Sequence, residues 1–84
     1  MRELSLFVWN ARGAGSAAFL TSMFDYITQH KPSIVVLLET HISGTRADTV
    51  CRKLGFQGCF RVEAQGFSGG IWLLWDVAIS ALFD

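Results

Sequence analysis

The stretch that decides the fold is VWNARGAGSAAF, which runs from Val8 to Phe19. It overlaps the end of a β-forming run, Leu4 to Trp9, and leads through two glycines into a segment with apolar residues at helical spacing. Ser16 is a suitable N-cap for a helix from Ala17 to about His30, and Pro32 would close that helix. The stretch therefore predicts a strand, a glycine turn and a helix.

A second strand is predicted from Ile34 to Leu38 (IVVLL), because a short continuous apolar run is typical of a strand covered on both faces. A strand, helix and strand joined at this length favour a right-handed parallel βαβ unit. Parallel strands bring their carboxyl ends to one edge of the sheet. We therefore expect Asn10 and Glu39 to lie side by side at that edge.

The rest of the chain predicts a short helix and further strands. The helix runs from about Arg46 to Leu54, and Gly55 ends it. The strands are Phe60 to Ala64, Gly70 to Trp75 and Val77 to Phe83, with a hairpin at QGFSG joining the first two. The predicted fold class is α/β, namely the N-terminal portion of a layered α/β sandwich, a βαβ unit followed by antiparallel strands. We expect this sandwich to be truncated.

Composition narrows the function classes. The chain has 84 residues, of which 51% are hydrophobic and 17% charged, and this excludes intrinsic disorder. The apolar excess predicts a partner surface or a missing part of the fold, and thus possible self-association through an exposed apolar sheet surface. Seven basic residues balance seven acidic ones, so phosphate binding would need a local site or a metal rather than a global positive field.

The two cysteines and the hydropathy pattern bear on the cellular compartment. Cys51 and Cys59 fit neither a disulfide framework nor a zinc spacing, so we expect reduced, mostly buried thiols. No signal peptide is apparent, and no apolar run approaches the roughly 18 residues that cross a bilayer. We expect an intracellular protein of the nucleus or cytoplasm with no membrane segment.

Two candidate phosphate sites follow from the residues alone. Gly13, Gly15 and Ala18 match the G-x-G-x-x-A spacing of a dinucleotide cradle, or they only turn the chain. Asn10 and Glu39 offer the oxygen ligands that Mg²⁺ prefers, or they are a turn cap and a solvated acid. Spacing and composition leave both pairs of alternatives open.

Three segments in a particular order carry a family resemblance: VWNARG, KPSIVVLLETH and GFQGCFRVEAQGFSGGIWLLW. Together they resemble the start of the endonuclease/exonuclease/phosphatase (DNase I-like) superfamily, and within it the endonuclease domains of plant non-LTR (LINE-type) retrotransposons. The resemblance covers essentially the whole chain. It implies that residues 1–84 are the N-terminal segment of a Mg²⁺- or Mn²⁺-dependent phosphodiesterase domain whose intact form cleaves DNA.

The resemblance also implies roles for single residues. Glu39 matches the family's metal-binding glutamate, and Asn10 matches the asparagine beside the metal and the scissile phosphate. Arg12 stands where repair-type members carry an acid. His41 is not the family's catalytic histidine; it either approaches substrate or is a loop histidine without a catalytic role. Trp72 and Trp75 are interpreted as core or sheet-face residues rather than base-stacking ones.

The family's later Asp-x-Asn and Ser-Asp-His motifs do not occur in these 84 residues. Because catalytic groups act jointly, we expect the chain alone to be inactive and to bind metal weakly. The alternatives are a non-catalytic remnant or interaction module and, third, a dinucleotide-binding βαβ domain.

Overall fold

The computed structural model describes residues 4–65 and 68–76, which form a four-stranded sheet with two helices. In chain order the elements are β1 (Leu6–Asn10), α1 (Ala17–His30), β2 (Ile34–Leu38), α2 (Gly44–Leu54), β3 (Gly58–Val62) and β4 (Ile71–Trp75). The strands lie in the order β1-β2-β4-β3. The β1–β2 pair is parallel and the other two pairs are antiparallel, so the predicted α/β class is confirmed.

The first helix has the bounds that its sequence signals predict. The Ser16 Oγ accepts a hydrogen bond from the Phe19 N–H at 3.1 Å, which satisfies one of the unpaired donors of the first turn. At the other end Lys31 takes a left-handed conformation and its N–H donates to the Ile27 carbonyl. Pro32 follows, and the chain turns back to pair β2 with β1.

Both helices contribute to one core, which they form with alternate residues of the central strands. The core residues are Phe19 and Met23 of α1, Ala47, Val50, Cys51 and Leu54 of α2, Val35 and Leu37 of β2, and Trp72 and Leu74 of β4, with Ala14 and Ile42 from the loops. Trp72 is fully buried, which confirms its interpretation as a core residue. At the β1 edge Phe7 stacks on Tyr26 with ring centroids 3.8 Å apart, and this contact packs α1 against the sheet.

The predicted coverage of β2 on both faces is wrong. Val35 and Leu37 are buried, whereas Ile34, Val36 and Leu38 are only half-buried. The helices cover one face of the sheet, and the strand's apolar run continues onto the other. We call that second face the open face; it consists of Leu6, Val8, Asn10, Ile34, Val36, Leu38, Gly58, Phe60, Val62, Ile71, Leu73 and Trp75.

Four elements have bounds that differ from prediction; the smallest difference is in β4, which starts at Ile71 rather than Gly70. β1 is shifted from Leu4–Trp9 to Leu6–Asn10, and α2 starts two residues early because the Glu63 carboxylate accepts from the Gly44 N–H at 3.1 Å. β3 is Gly58–Val62 rather than Phe60–Ala64, since Gly58 pairs with Trp75 and leaves room for its indole ring. The differences in α2 and β3 each depend on a contact between segments distant in sequence.

Two predictions lie partly or wholly outside the described residues. The proposed strand from Val77 to Phe83 falls in residues 77–84, and the centre of the QGFSG hairpin falls at 66–67. On either side of that centre, Gln65 and Ser68 pair as an antiparallel bridge, in agreement with a hairpin between β3 and β4.

Two neighbouring glycines, Gly69 and Gly70, precede β4, and substituting each of them tests how closely this segment packs against Thr40. A Cβ on Gly70, at φ +94°, would overlap the Thr40 Oγ1, whereas a Cβ on Gly69, at φ +73°, would meet nothing within 4 Å. We expect Gly69→Ala to lower the free energy of unfolding by about 1 kcal/mol through backbone strain alone. Gly70→Ala should cost roughly 3 kcal/mol, because steric overlap adds to the same strain.

Urea unfolding followed by circular dichroism measures both variants, and Gly69→Ala is the matched control for Gly70→Ala. Equal losses of stability would show that Thr40 does not pack against Gly70 as the structure has it.

Candidate functional site

Backbone hydrogen bonds join three chain segments at the carboxyl edge of β1 and β2. Beyond the strands, the N–H groups of residues 11, 13 and 14 donate to the carbonyls of residues 38, 39 and 40, each at 2.8 Å. On the other side the His41 N–H donates to the Gly69 carbonyl at 2.9 Å. Residues 39–41 are therefore held between the loop after β1 and the segment that enters β4.

Asn10 is the last residue of β1 and pairs with Leu38, one residue before Glu39. Its Oδ1 accepts a hydrogen bond from the Arg12 N–H at 3.2 Å, which closes an Asx-type turn. The residue is exposed. The structure thus brings Asn10 and Glu39 to adjoining strand ends, as parallel pairing requires. Asn10 also caps a turn, which is the alternative role that the sequence left open for it.

Glu39 carries the exposed carboxylate at this edge. Its side chain is 50% exposed, and its Oε2 lies 2.9 Å from the Nε2 of His41. The second nitrogen of the same ring, Nδ1, faces Gly13, since a Cβ on Gly13 would lie 3.7 Å from it. His41 therefore lies between the carboxylate and the glycine turn, and nothing in the sequence indicated its contact with Glu39.

The backbone at this edge is strained. Among the described residues, four non-glycine residues have positive φ, and three of them are Arg12, Glu39 and His41. Such conformations cost roughly 1–3 kcal/mol each and cluster at functional sites, where surrounding hydrogen bonds maintain them. The fourth, Lys31, is the C-cap of α1, a position where the left-handed conformation is common.

Arg46 brings a positive charge to the same region. It lies in the first turn of α2, and its guanidinium packs so closely over Gly15 that a Cβ there would overlap it. In the sequence, Arg46 is noted only as the approximate start of the second helix. Only the packing of α2 beside the β1–α1 loop reveals this proximity, and no local pattern signals it.

One buried polar group lies next to the site. Thr40 is fully buried between Glu39 and His41, and its hydroxyl has no hydrogen-bond partner among the described residues. An unpaired buried hydroxyl costs about 1–3 kcal/mol. Its close packing against Gly70 fixes residue 40, and so restrains the backbone of residues 39–41.

The residues at this edge suit a hard divalent cation in part. Glu39 supplies a carboxylate and Asn10 an amide oxygen, and both are exposed. The described part of the chain contains no cluster of three or more His, Cys, Asp or Glu that would form a fuller shell. Mg²⁺ commonly binds one or two carboxylates and keeps several waters or phosphate oxygens, so two protein ligands fit a shared, weak site.

The glycines of the dinucleotide pattern are engaged within the protein. The Gly13 and Ala14 N–H groups donate to the carbonyls of Glu39 and Thr40, and Arg46 covers Gly15. A phosphate cradle needs free backbone N–H groups. The observed contacts agree better with glycines that turn the chain.

Comparison with known proteins shows the fold. The chain is similar to the crystal structure of the AP endonuclease LMAP from Leishmania major, with a TM-score of 0.57 and 22% sequence identity. The similarity covers 86% of this chain and 24% of that one, so the chain spans about a quarter of its structural neighbour. No protein-family model and no curated protein matches the sequence.

Neither α1 nor α2 is long and apolar enough to span a bilayer, and the described residues contain no other helix.

Proposed function

We propose that this chain forms the first part of a divalent-metal-dependent phosphodiesterase domain that acts on DNA. The observation that carries the proposal is the placement of Glu39 and Asn10 at adjoining strand ends, where backbone hydrogen bonds hold both loops. The likeness in fold to an AP endonuclease supports it, and so does the strained backbone around Glu39.

The residues at this edge supply some of the groups that phosphodiester hydrolysis needs. Water attacks phosphorus, the bond from phosphorus to the leaving oxygen breaks, and a proton passes to that oxygen. Mg²⁺ or Mn²⁺, held by Glu39 and Asn10, would polarise the phosphate. Asn10 would orient a phosphate oxygen through its amide group. The Arg46 guanidinium would pair with a negatively charged phosphate of the DNA backbone. His41 holds the Glu39 carboxylate in place.

A finer proposal is that the domain is of the retrotransposon type. Its support is the order of the three motifs and the presence of Arg12 at the position where repair-type members carry an acid. In the structure Arg12 is exposed beside the candidate site. Its positive charge favours contact with a DNA phosphate rather than with a metal ion.

Paramagnetic Mn²⁺ locates the metal site directly. We expect it to broaden the backbone amide signals of residues 10–14 and 39–41 first, with a dissociation constant on the order of 1 mM because the protein supplies few ligands. Glu39→Gln should abolish this broadening. Nuclear magnetic resonance spectra recorded during a Mn²⁺ titration measure it.

The control for that titration is Asp25→Asn, which removes one exposed carboxylate from α1. It should leave the broadening unchanged. Broadening centred instead on Asp48 and Glu63, or unaffected by Glu39→Gln, would contradict the proposed metal site.

A nicking assay on supercoiled DNA tests activity. With Mg²⁺ present, we expect the 84-residue chain to cleave no faster than its Glu39→Gln variant, because a site with one carboxylate lacks the groups that activate water and protonate the leaving oxygen. Mg²⁺-dependent cleavage that is lost in Glu39→Gln would overturn this expectation of inactivity, while supporting the assigned role of Glu39.

The open face supports a second candidate function, in which the chain is an interaction module that binds a second copy of the same chain. Its most exposed apolar residues are Leu6, Val8, Phe60, Val62 and Ile71, which are 45–64% exposed. The face carries no charged residue, so an equally apolar surface fits it best. Together these side chains expose on the order of 500 Å², and two copies would bury about 1,000 Å², the lower limit for specific association.

We expect the wild-type chain to dimerise with a dissociation constant in the micromolar range. The double variant Val8→Lys/Val62→Lys should be monomeric, because each lysine would have to bury its charge. The control Phe24→Lys alters an exposed apolar residue on α1 and should leave association unchanged. Sedimentation equilibrium distinguishes these outcomes, and a wild-type monomer at high concentration would argue against the interaction module.

A further inference from the structure

The two cysteines lie in contact with each other, away from the candidate metal site. Cys51, on α2, and Cys59, on β3, have their sulfur atoms 3.4 Å apart. A disulfide needs about 2.05 Å, so a movement of little more than 1 Å would join them. β3 is an edge strand, with a neighbour on one side only among the described strands, so that movement would disturb only one strand pairing.

The pair opens into a surface cavity of about 570 Å³. Cys59 is exposed and Cys51 is 7% exposed, so the expectation of two mostly buried thiols is wrong for Cys59. A small oxidant in the cavity would reach Cys59 first. Cys51 lines the same cavity with its sulfur 3.4 Å away, in position to attack a modified Cys59.

Charged groups surround the thiols on both elements that carry them. The Arg61 guanidinium donates to the Cys51 sulfur at 3.9 Å, and it pairs with Asp48 at 2.7 Å and Glu63 at 3.0 Å. Partial burial of the thiol, together with the neighbouring Cys51, raises the pKa of Cys59 to about 12, although Arg61 opposes the rise. At neutral pH the thiol therefore remains protonated and reacts slowly.

We propose that Cys51 and Cys59 form a dithiol redox site that small-molecule disulfides such as oxidised glutathione convert to an intramolecular disulfide. The Cys59 thiolate attacks one sulfur of the oxidant, whose sulfur–sulfur bond breaks and releases one reduced thiol. The Cys51 thiolate then attacks the Cys59 sulfur and releases the second. Two electrons and two protons pass from the protein to the oxidant. The new bond ties α2 to the edge strand β3.

Intact mass spectrometry of the whole chain with oxidised glutathione tests this proposal. Wild-type protein should lose about 2 Da with no lasting adduct, and peptide mapping should show the Cys51–Cys59 link. Cys59→Ser and Cys51→Ser should each retain at most one glutathione. Because the pKa of Cys59 is raised, the rate should still increase between pH 9 and 10, where an ordinary thiol with a pKa of about 8.5 levels off.

A denatured control separates native geometry from proximity in sequence. In urea, the ratio of intramolecular disulfide to glutathione adduct should fall by roughly tenfold, because the fold no longer holds the two sulfurs together. A lasting adduct on native wild-type protein, disulfide-linked dimers on a non-reducing gel, no reaction at all, or an unchanged ratio in urea would each overturn the proposal. Cys59→Ser changes an exposed residue, so it keeps the comparison available if Cys51→Ser unfolds.

Discussion

The parallel hydrogen bonding between β1 and β2 does not stop where the strands end. Residues 11, 13 and 14 continue to donate to the carbonyls of residues 38–40, and residues 40 and 41 donate to the carbonyls of Gly70 and Gly69, just before β4. These bonds maintain left-handed conformations at Arg12, Glu39 and His41, which would be unfavourable in isolation. The position of every candidate group at this edge depends on that pairing.

The same pairing explains the shape of the sheet. The crossover through α1 places its helix on one face, and α2 packs on that face as well, so one set of alternate strand residues forms the core. The other set forms the open face, which is apolar at almost every position. Exposing this much apolar surface to water raises the free energy of the folded chain. Association would lower that free energy by removing part of the surface from water. The site at the edge and the open face are thus two consequences of one arrangement.

Prediction from sequence succeeded where local chemistry decides the structure. The bounds of α1 follow from Ser16 and Pro32, and the parallel direction of β1 and β2 follows from the length of the connection. It failed where distant segments meet. The start of α2 depends on Glu63, the position of β3 depends on Trp75, and the one-sided burial of β2 depends on which elements pack against it. At the candidate site, the placement of Asn10 and Glu39 at adjoining strand ends was predicted from sequence, whereas the contacts of His41 and Arg46 were not.

The sequence by itself determined the order and type of the elements, the glycine turn after β1 and the pair of oxygen-bearing residues at two strand ends. These depend on periodicity, capping and turn chemistry, which act over a few residues. Only the tertiary structure decided that His41 binds Glu39, that Arg46 covers Gly15, that Cys59 meets Cys51, and that both described helices pack on the same face of the sheet. The physical reason is that side-chain contacts and burial depend on the packing of whole elements, and residues far apart in the chain determine that packing together.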